Sequence, residues 1–152
     1  MEVKFVKPTE DHILDLGQNM REDDQQECAA AGHLDPHAAV RASIDASAEC
    51  WACTVDGRVL AIFGLTVQAA LERKASLWLL TSTLVDRKPK LFVSLARKAL
   101  ASMRRAWPIL SVGIDAHHAT ALRFASRFGF SPGWTYAHPD TGEPFRLHTM
   151  GD

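Results

Sequence analysis

The sequence predicts an α/β domain with a mixed sheet, and two local patterns carry this prediction. Residues 109–114 form an apolar run of strand length, and segment 121–128 then changes to a helical period, with apolar side chains spaced i, i+3, i+4, i+7. Gly129 follows that helix where a left-handed residue often ends one, and Phe130 opens another extended segment. Upstream, Asp56-Gly57 between two apolar runs is a strong hairpin signal.

Length and composition limit the kinds of protein this chain can be. Its 152 residues fit one domain, residues 1–152, with 47% hydrophobic and 23% charged residues. The net charge of -1 argues against nucleic-acid binding through bulk electrostatics. No apolar run has the length of a signal peptide core or a membrane span, so we expect a cytoplasmic protein with no membrane partner.

The first part of the chain predicts one strand and two helices. Val3–Val6 is a short strand, and Thr9 is a good N-cap for a helix from Glu10 to about Met20. The charged residues 21–26 are interpreted as a solvated helix end or loop. Asp35-Pro36 then starts a second helix, with a capping residue followed by proline in the first turn.

The middle of the chain predicts an antiparallel meander followed by a long helix. Residues 51–55 and 59–65 are the two strands of the Asp-Gly hairpin, and the apolar run 75–85 is a third strand beside them. Pro89 suits the first turn of a helix that extends to Trp107. Two further strands, about 134–137 and 145–149, end the chain.

The cysteines and histidines do not form a recognisable metal site. Cys50 and Cys53 have the spacing of a metal or redox pair, but their segment reads as a strand, and positions i and i+3 of a strand face opposite sides. We therefore favour two ordinary small core or edge residues. His117-His118 has no partners at a zinc-binding spacing, so no metal is expected.

The segment Ala121–Phe130 resembles the last helix of GNAT N-acyltransferases, which ends in a similar Gly-Phe pair. More specifically, the order of elements from Leu77 onward is similar to that of the GNAT-like internal virion protein A of short-tailed bacteriophages. This resemblance implies a single GNAT-like domain, with a mixed, mostly antiparallel sheet of about seven strands flanked by about four helices.

The resemblance also implies where acetyl-CoA would bind. In this family the cofactor lies between two splayed central strands, here expected at residues 77–85 and 109–114, and its diphosphate rests on amides of the following loop and helix start. The corresponding candidates here are Leu84, Val85, Arg87, Lys88, Lys90 and Leu91. The glycines of the family loop are missing, Pro89 has no N–H to donate, and Asp86 places a negative charge beside the diphosphate. Arg87, Lys88 and Lys90 could compensate as cations.

The catalytic residues of the family are also changed. By alignment on Gly129-Phe130, the tyrosine that protonates the leaving thiolate falls on Ala125, and the asparagine that contacts the cofactor falls on His118. His118 is a candidate acid or base that could instead cap its helix, and Tyr136, the only tyrosine, would have to reach back to the site. Weaker candidates for a base are acidic side chains whose spacing singles none of them out: Glu49, Glu72 and Asp115.

Two functions remain open at this point. The missing glycines and Ala125 favour a bacteriophage-encoded GNAT-fold protein that has lost catalysis and binds phage or host proteins during virion morphogenesis, in the host cytoplasm or in the virion. The alternative is an active N-acetyltransferase that takes acetyl-CoA on an unusual loop and modifies an amine of a small molecule or protein. A homo-oligomer is compatible with both functions.

Overall fold

A computed structural model describes residues 1–151 and contains one seven-stranded sheet with six helices. In chain order the elements are β1 (Val3–Val6), α1 (Glu10–Asn19), α2 (Glu22–Ala30), α3 (Pro36–Asp45), β2 (Glu49–Val55), β3 (Arg58–Ala69), β4 (Lys74–Thr81), α4 (Leu84–Arg87), α5 (Pro89–Ala106), β5 (Ile109–Asp115), α6 (Ala119–Arg127), β6 (Ser131–Ala137) and β7 (Pro144–Met150).

The strands lie in the order β1-β2-β3-β4-β5-β7-β6, and every neighbouring pair is antiparallel except β4 and β5. The prediction of a mixed, mostly antiparallel sheet is therefore confirmed. The parallel pairing of β4 with β5 extends only from Lys74 opposite Ile109 to Ser76 opposite Ser111. Beyond these residues the two strands separate and leave a gap near the middle of the sheet.

Local sequence explains how several elements begin and turn. The β2–β3 hairpin turns through Asp56 and Gly57, which have φ angles of 50° and 81°, a region that glycine occupies without strain. The side chain of Thr9 accepts a hydrogen bond from the N–H of His12 at the start of α1. At α3, Asp35 caps the helix and Pro36 occupies its first turn, as the sequence predicts.

Helices cover both faces of the sheet, and two apolar cores result. On one face, α5 and α6 contribute Phe92, Met103 and Ala125 to the larger core. On the other face, α1 and α3 bury Leu16 and Val40 against the sheet. Strand residues alternate between the two cores because successive side chains of a strand point to opposite faces.

Two predictions about secondary structure are wrong. Residues 22–30 form a helix rather than a solvated end or loop, because one side of this acidic segment, with Asp24 and Cys28, is buried. The third strand ends at Thr81 rather than Val85, and α4 follows it. The chain turns here because the N–H of Val85 donates back to the carbonyl of Ser82, which places Val85 in the core. The helices therefore number six instead of about four.

Two other features of the described chain bear on function. Cys50 and Cys53 are free thiols on β2, as is Cys28 on α2, and residues 1–151 hold no cluster of side chains suited to a metal ion. Within the same residues, no helix combines the length and apolar character needed to cross a membrane.

Candidate functional site

The gap between β4 and β5 opens into a cavity of about 360 Å³ that passes through the sheet. Its walls come from β4 and β5, from α5 and α6 on one face, and from α2 and α3 on the other. Most lining side chains are apolar. The polar ones gather at the α2 side, where the separated strands end, and include Asp24, Glu27, Thr81 and His118.

Asp24 links the two sides of the gap. One carboxylate oxygen, Oδ2, accepts hydrogen bonds from both the N–H and the hydroxyl of Thr81 at the end of β4, the N–H at 2.7 Å. The other, Oδ1, lies 3.0 Å from Nε2 of His118, which precedes α6. Asp24 is only 6% exposed, so these partners replace water around a buried carboxylate.

His118 is buried and has a partner at each ring nitrogen. Its Nδ1 accepts the N–H of Ala121 at 3.3 Å and so caps α6, while Nε2 faces Asp24. Burial tends to lower the pKa of His118, but the hydrogen bond to Asp24 and the charges of Glu27 and Asp24 outweigh burial and raise that pKa. With both nitrogens engaged, His118 acts in this structure as a cap and as a partner of Asp24.

Glu27 lies one helical turn after Asp24 and lines the same cavity. Its Oε2 accepts the N–H of Asp115, the last residue of β5, at 3.0 Å. Burial raises the pKa of Glu27 to about 7, against the opposing effects of His118 and the Asp115 N–H. A carboxyl group that titrates near neutral pH at the wall of a cavity is suited to taking and giving protons.

Tyr136, on β6, lies with its hydroxyl against β5. Its hydroxyl lies over Gly113, where an added Cβ would come within 2.2 Å of the phenolic oxygen. Gly113 therefore leaves the space that this hydroxyl occupies. Burial, and to a smaller extent the charge of Glu27, raise the pKa of Tyr136, so the phenol keeps its proton at neutral pH.

The predicted diphosphate loop has folded into α4 and the start of α5, and several of its amides are already used. The N–H of Leu84 donates to the hydroxyl of Ser82, that of Val85 to the Ser82 carbonyl, and that of Lys88 to the carbonyls of Leu84 and Val85. Pro89 is the first residue of α5 and has no N–H. The bonded amides and Pro89 therefore leave the first-turn N–H groups of Lys90 and Leu91 as the main backbone donors for a diphosphate.

Cations nonetheless surround the start of α5. Arg87 and Lys90 are exposed and Lys88 is half-buried, and within residues 1–151 none of the three lies within 4.0 Å of a carboxylate. The neighbouring Asp86 pairs with Arg21 at 3.1 Å, which reduces its repulsion of an anion. Leu91, the remaining candidate, is half-buried. Side-chain charges thus lie beside the first-turn amides of Lys90 and Leu91.

The other predicted site residues lie in different places. Ala125 is buried on α6 at the cavity wall, where no side-chain proton is available. Asp115 is buried and accepts the N–H of His117, whereas Glu49 accepts the indole N–H of Trp107 and Glu72 is exposed in the β3–β4 turn. Of these three acidic candidates, only Asp115 contacts Glu27.

Sequence reasoning missed both Asp24 and Glu27. The acidic run suggested a solvated segment, although Asp24, Glu27, Cys28 and Ala31 have the i, i+3, i+4, i+7 spacing of one helical face. All four line the cavity. Cys28 is an unsuitable nucleophile because burial, followed by the charges of Asp24 and Glu27, raises the pKa of its thiol to about 12.

We predict that Asp24→Asn lowers the pKa of His118 and destabilises the chain. The amide NH₂ would face Nε2 of His118, which now donates, so the imidazole must change tautomer and lose its cap, or leave a buried donor unpaired. Loss of about 1–3 kcal/mol of unfolding free energy is expected. NMR titration of the imidazole and urea unfolding measure both effects.

The exposed neighbour Asp23 offers a matched control, Asp23→Asn, with a smaller effect on either measurement. Because the pKa of His118 is raised on folding, its stabilising effect is complete below the unfolded value of about 6.5 and is lost as pH rises through the folded value. An unchanged imidazole titration in Asp24→Asn would contradict this account of the pair.

We predict that Glu27→Gln gains stability relative to the wild type as pH rises. The pKa of Glu27 is raised from 4.5 to about 7, so wild-type stability falls across that interval, while the unfolded carboxylate is ionised and the folded one is not. Glutamine does not ionise, and its carbonyl can still accept the Asp115 N–H. Urea unfolding at pH 5 and pH 8 compares the two proteins, with Glu22→Gln as an exposed control on α2. Parallel pH profiles would contradict the prediction.

Comparison with known proteins supports the fold alone. No protein-family model matches the chain, and no characterised protein matches it in sequence. Among solved structures, the ribosomal-protein-S18-alanine N-acetyltransferase from Escherichia coli aligns over 98% of this chain and 93% of its own, with 13% identity and a TM-score of 0.67.

Two further structures give the same picture. A GNAT-family acetyltransferase from Bacillus anthracis covers 99% of this chain and 95% of its own, with 7% identity and a TM-score of 0.68. A ribosomal L7/L12 α-N-protein acetyltransferase, solved with coenzyme A, covers 97% and 92%, with 10% identity and a TM-score of 0.68. The chain therefore has the GNAT fold.

Proposed function

We propose that this protein is an N-acyltransferase that moves an acyl group from a coenzyme A thioester to an amine, with Glu27 as the general base. The observation that carries the proposal is the position of Glu27, whose pKa is about 7, at the wall of a cavity that crosses the sheet where β4 and β5 separate. A base with a pKa near the working pH is the most effective for proton transfer.

Acyl transfer to an amine requires such a base because amines of lysine type have a pKa of about 10 and are protonated in neutral water. Bound coenzyme A supplies the acyl group in activated form, as a thioester. Glu27 takes the first proton from the ammonium group and passes it to water. The nitrogen loses its second proton as the new carbon–nitrogen bond replaces the carbon–sulfur bond, and one proton is finally returned to the thiolate sulfur. The separated strands leave room for the reacting groups between the two faces of the sheet.

The cofactor fits this chain in part. The gap between β4 and β5 provides the slot for the thioester arm, and Arg87, Lys88 and Lys90 provide unpaired positive charge for the diphosphate. The N–H groups of Val85 and Lys88 are already hydrogen-bonded, so fewer backbone donors remain to bind the diphosphate. We therefore expect binding through side-chain charges on long, flexible stems, with moderate affinity.

Tyr136 is the hydrogen-bond donor that we assign to the reaction. The raised pKa of Tyr136 keeps its hydroxyl protonated. Gly113 leaves room for this hydroxyl over β5, whereas α6 carries at the cavity wall Ala125, whose side chain has no proton to donate. Gly113 lines the cavity, so we assign the Tyr136 hydroxyl a hydrogen bond to an oxyanion that develops beside Gly113. His118 is proposed to position Asp24 and α6 rather than to exchange protons itself, since both ring nitrogens have partners.

A second candidate function is the non-catalytic one that the resemblance to a phage internal virion protein implies. One observation favours it: the N–H groups of Val85, Asp86 and Lys88 are already hydrogen-bonded, and Asp86 lies among the cations. In that case the fold would serve virion assembly by binding a phage or host protein. We place the enzyme first because Glu27, which the sequence pattern did not identify, is suited to act as the general base that acyl transfer needs.

We predict that acetyl-CoA binds in the micromolar range in calorimetric titration. Lys88→Ala and Arg87→Ala should each weaken binding severalfold because each removes a cation next to the expected diphosphate. Lys98→Ala, which removes an exposed cation farther along α5, serves as the matched control. No heat of binding at millimolar acetyl-CoA would favour the non-catalytic function.

We predict that Glu27→Gln lowers kcat/KM for thiol release by roughly a hundredfold or more while acetyl-CoA binding is retained. Thiol release is measured with a panel of primary amines that includes amino acids, polyamines and peptide N-termini. Wild-type kcat/KM should rise with pH through about 7 as the carboxyl group ionises, and the variant should lose this dependence. Full activity of Glu27→Gln would remove Glu27 from the reaction, and Glu22→Gln controls for charge loss on α2.

A further inference from the structure

The cavity has an apolar extension that the proposed reaction does not use. Starting from the gap, it continues between α5 and the sheet, and we call this part the α5 channel. Its walls are formed by side chains of β3, β4 and one face of α5: Phe63, Leu77, Leu79, Leu95, Ala96 and Ala99. The cavity contacts α5 from Phe92 to Met103, which is about 16 Å at the rise of an α-helix.

The α5 channel departs from the close packing expected at the centre of a sheet. Leu79 lies on a central strand opposite Phe63, yet 39% of its surface remains exposed. The small side chains of Ala96 and Ala99 leave space on the face of α5 that lines the channel. Side chains as large as that of Leu95 at these two positions would fill it. The cavity as a whole, at about 360 Å³, is more than twice the roughly 150 Å³ that suffices for benzene in an apolar core.

The chemistry of the walls limits what can enter the channel. All six wall residues are hydrocarbon in character, and the polar side chains Asp24, Glu27 and His118 lie at the α2 side of the cavity. A thioester arm with its amides, a diphosphate or an amine would lose hydrogen bonds to water there and gain none from these side chains. Away from the unpaired backbone edges of β4 and β5 at the gap, an apolar group therefore fits the channel better than a polar one.

We infer that the α5 channel takes the hydrocarbon chain of an acyl group, so that the preferred donor is a medium-chain acyl-CoA rather than acetyl-CoA. This inference rests on the proposed function, because it assumes that the thioester lies in the gap. The channel is continuous with the gap, so an acyl carbon held there leads directly into the apolar walls. Glu27 remains on the opposite side, where the amine approaches.

The test is a binding series with acetyl-, butyryl-, hexanoyl- and octanoyl-CoA, measured by calorimetry on the full chain. Each buried methylene should strengthen binding up to about fourfold, so octanoyl-CoA is expected to bind at least tenfold more tightly than acetyl-CoA. Ala96→Leu fills the channel and should abolish this gain while leaving acetyl-CoA affinity unchanged. Ala99→Leu is a second filling variant, and Ala101→Leu, on the exposed side of α5, is the matched control.

The outcomes separate this inference from the proposed function. Equal affinities across the series would overturn the channel inference and leave the acyltransferase proposal standing. Failure of every thioester to bind would overturn both. A chain-length gain that persists in both Ala96→Leu and Ala99→Leu, with each variant folded by circular dichroism, would place the acyl chain outside the α5 channel and overturn the inference.

Discussion

The buried carboxylate of Asp24 is the interaction on which the arrangement of the site depends. Strands β4 and β5 stop pairing after three residue pairs, so no ladder of backbone hydrogen bonds fixes the distance between their ends. Asp24 replaces that ladder at the open end by holding Thr81 on β4 and His118 before α6. The same carboxylate anchors α2 and thereby places Glu27, one turn later, against the end of β5.

This arrangement separates two environments within one cavity. Carboxylates and an imidazole lie at the α2 side, where burial raises the pKa of Glu27, and where the hydrogen bond to Asp24 and the neighbouring negative charges raise the pKa of His118 against the effect of burial. Alkyl and aromatic groups line the side beneath α5. Because the sheet is open between β4 and β5, the polar and apolar parts of the cavity are connected through this gap. In the proposed reaction, proton transfer and burial of the acyl chain therefore take place on opposite sides of the sheet.

Most of the fold could be predicted from the sequence because its signals are local. The Asp56-Gly57 turn, the Asp35-Pro36 helix start and the change of period at residues 109–130 each depend on neighbouring residues, and the corresponding elements are present. The site could not be predicted in the same way. Asp24 and Glu27 look solvated in a run of acidic residues, and their burial depends on Thr81, Asp115 and His118, which lie 57 to 94 positions away.

The cations at the start of α5 affect which sequence changes this segment can tolerate. A cradle of backbone amides demands glycines at fixed positions, whereas Arg87, Lys88 and Lys90 act as charges on flexible stems. Binding through such side chains tolerates a shift of any one of these basic residues by one or two positions in the sequence. Under the proposed function, the segment can therefore change in sequence while its attraction for an anion persists, and the absence of glycines does not by itself exclude cofactor binding.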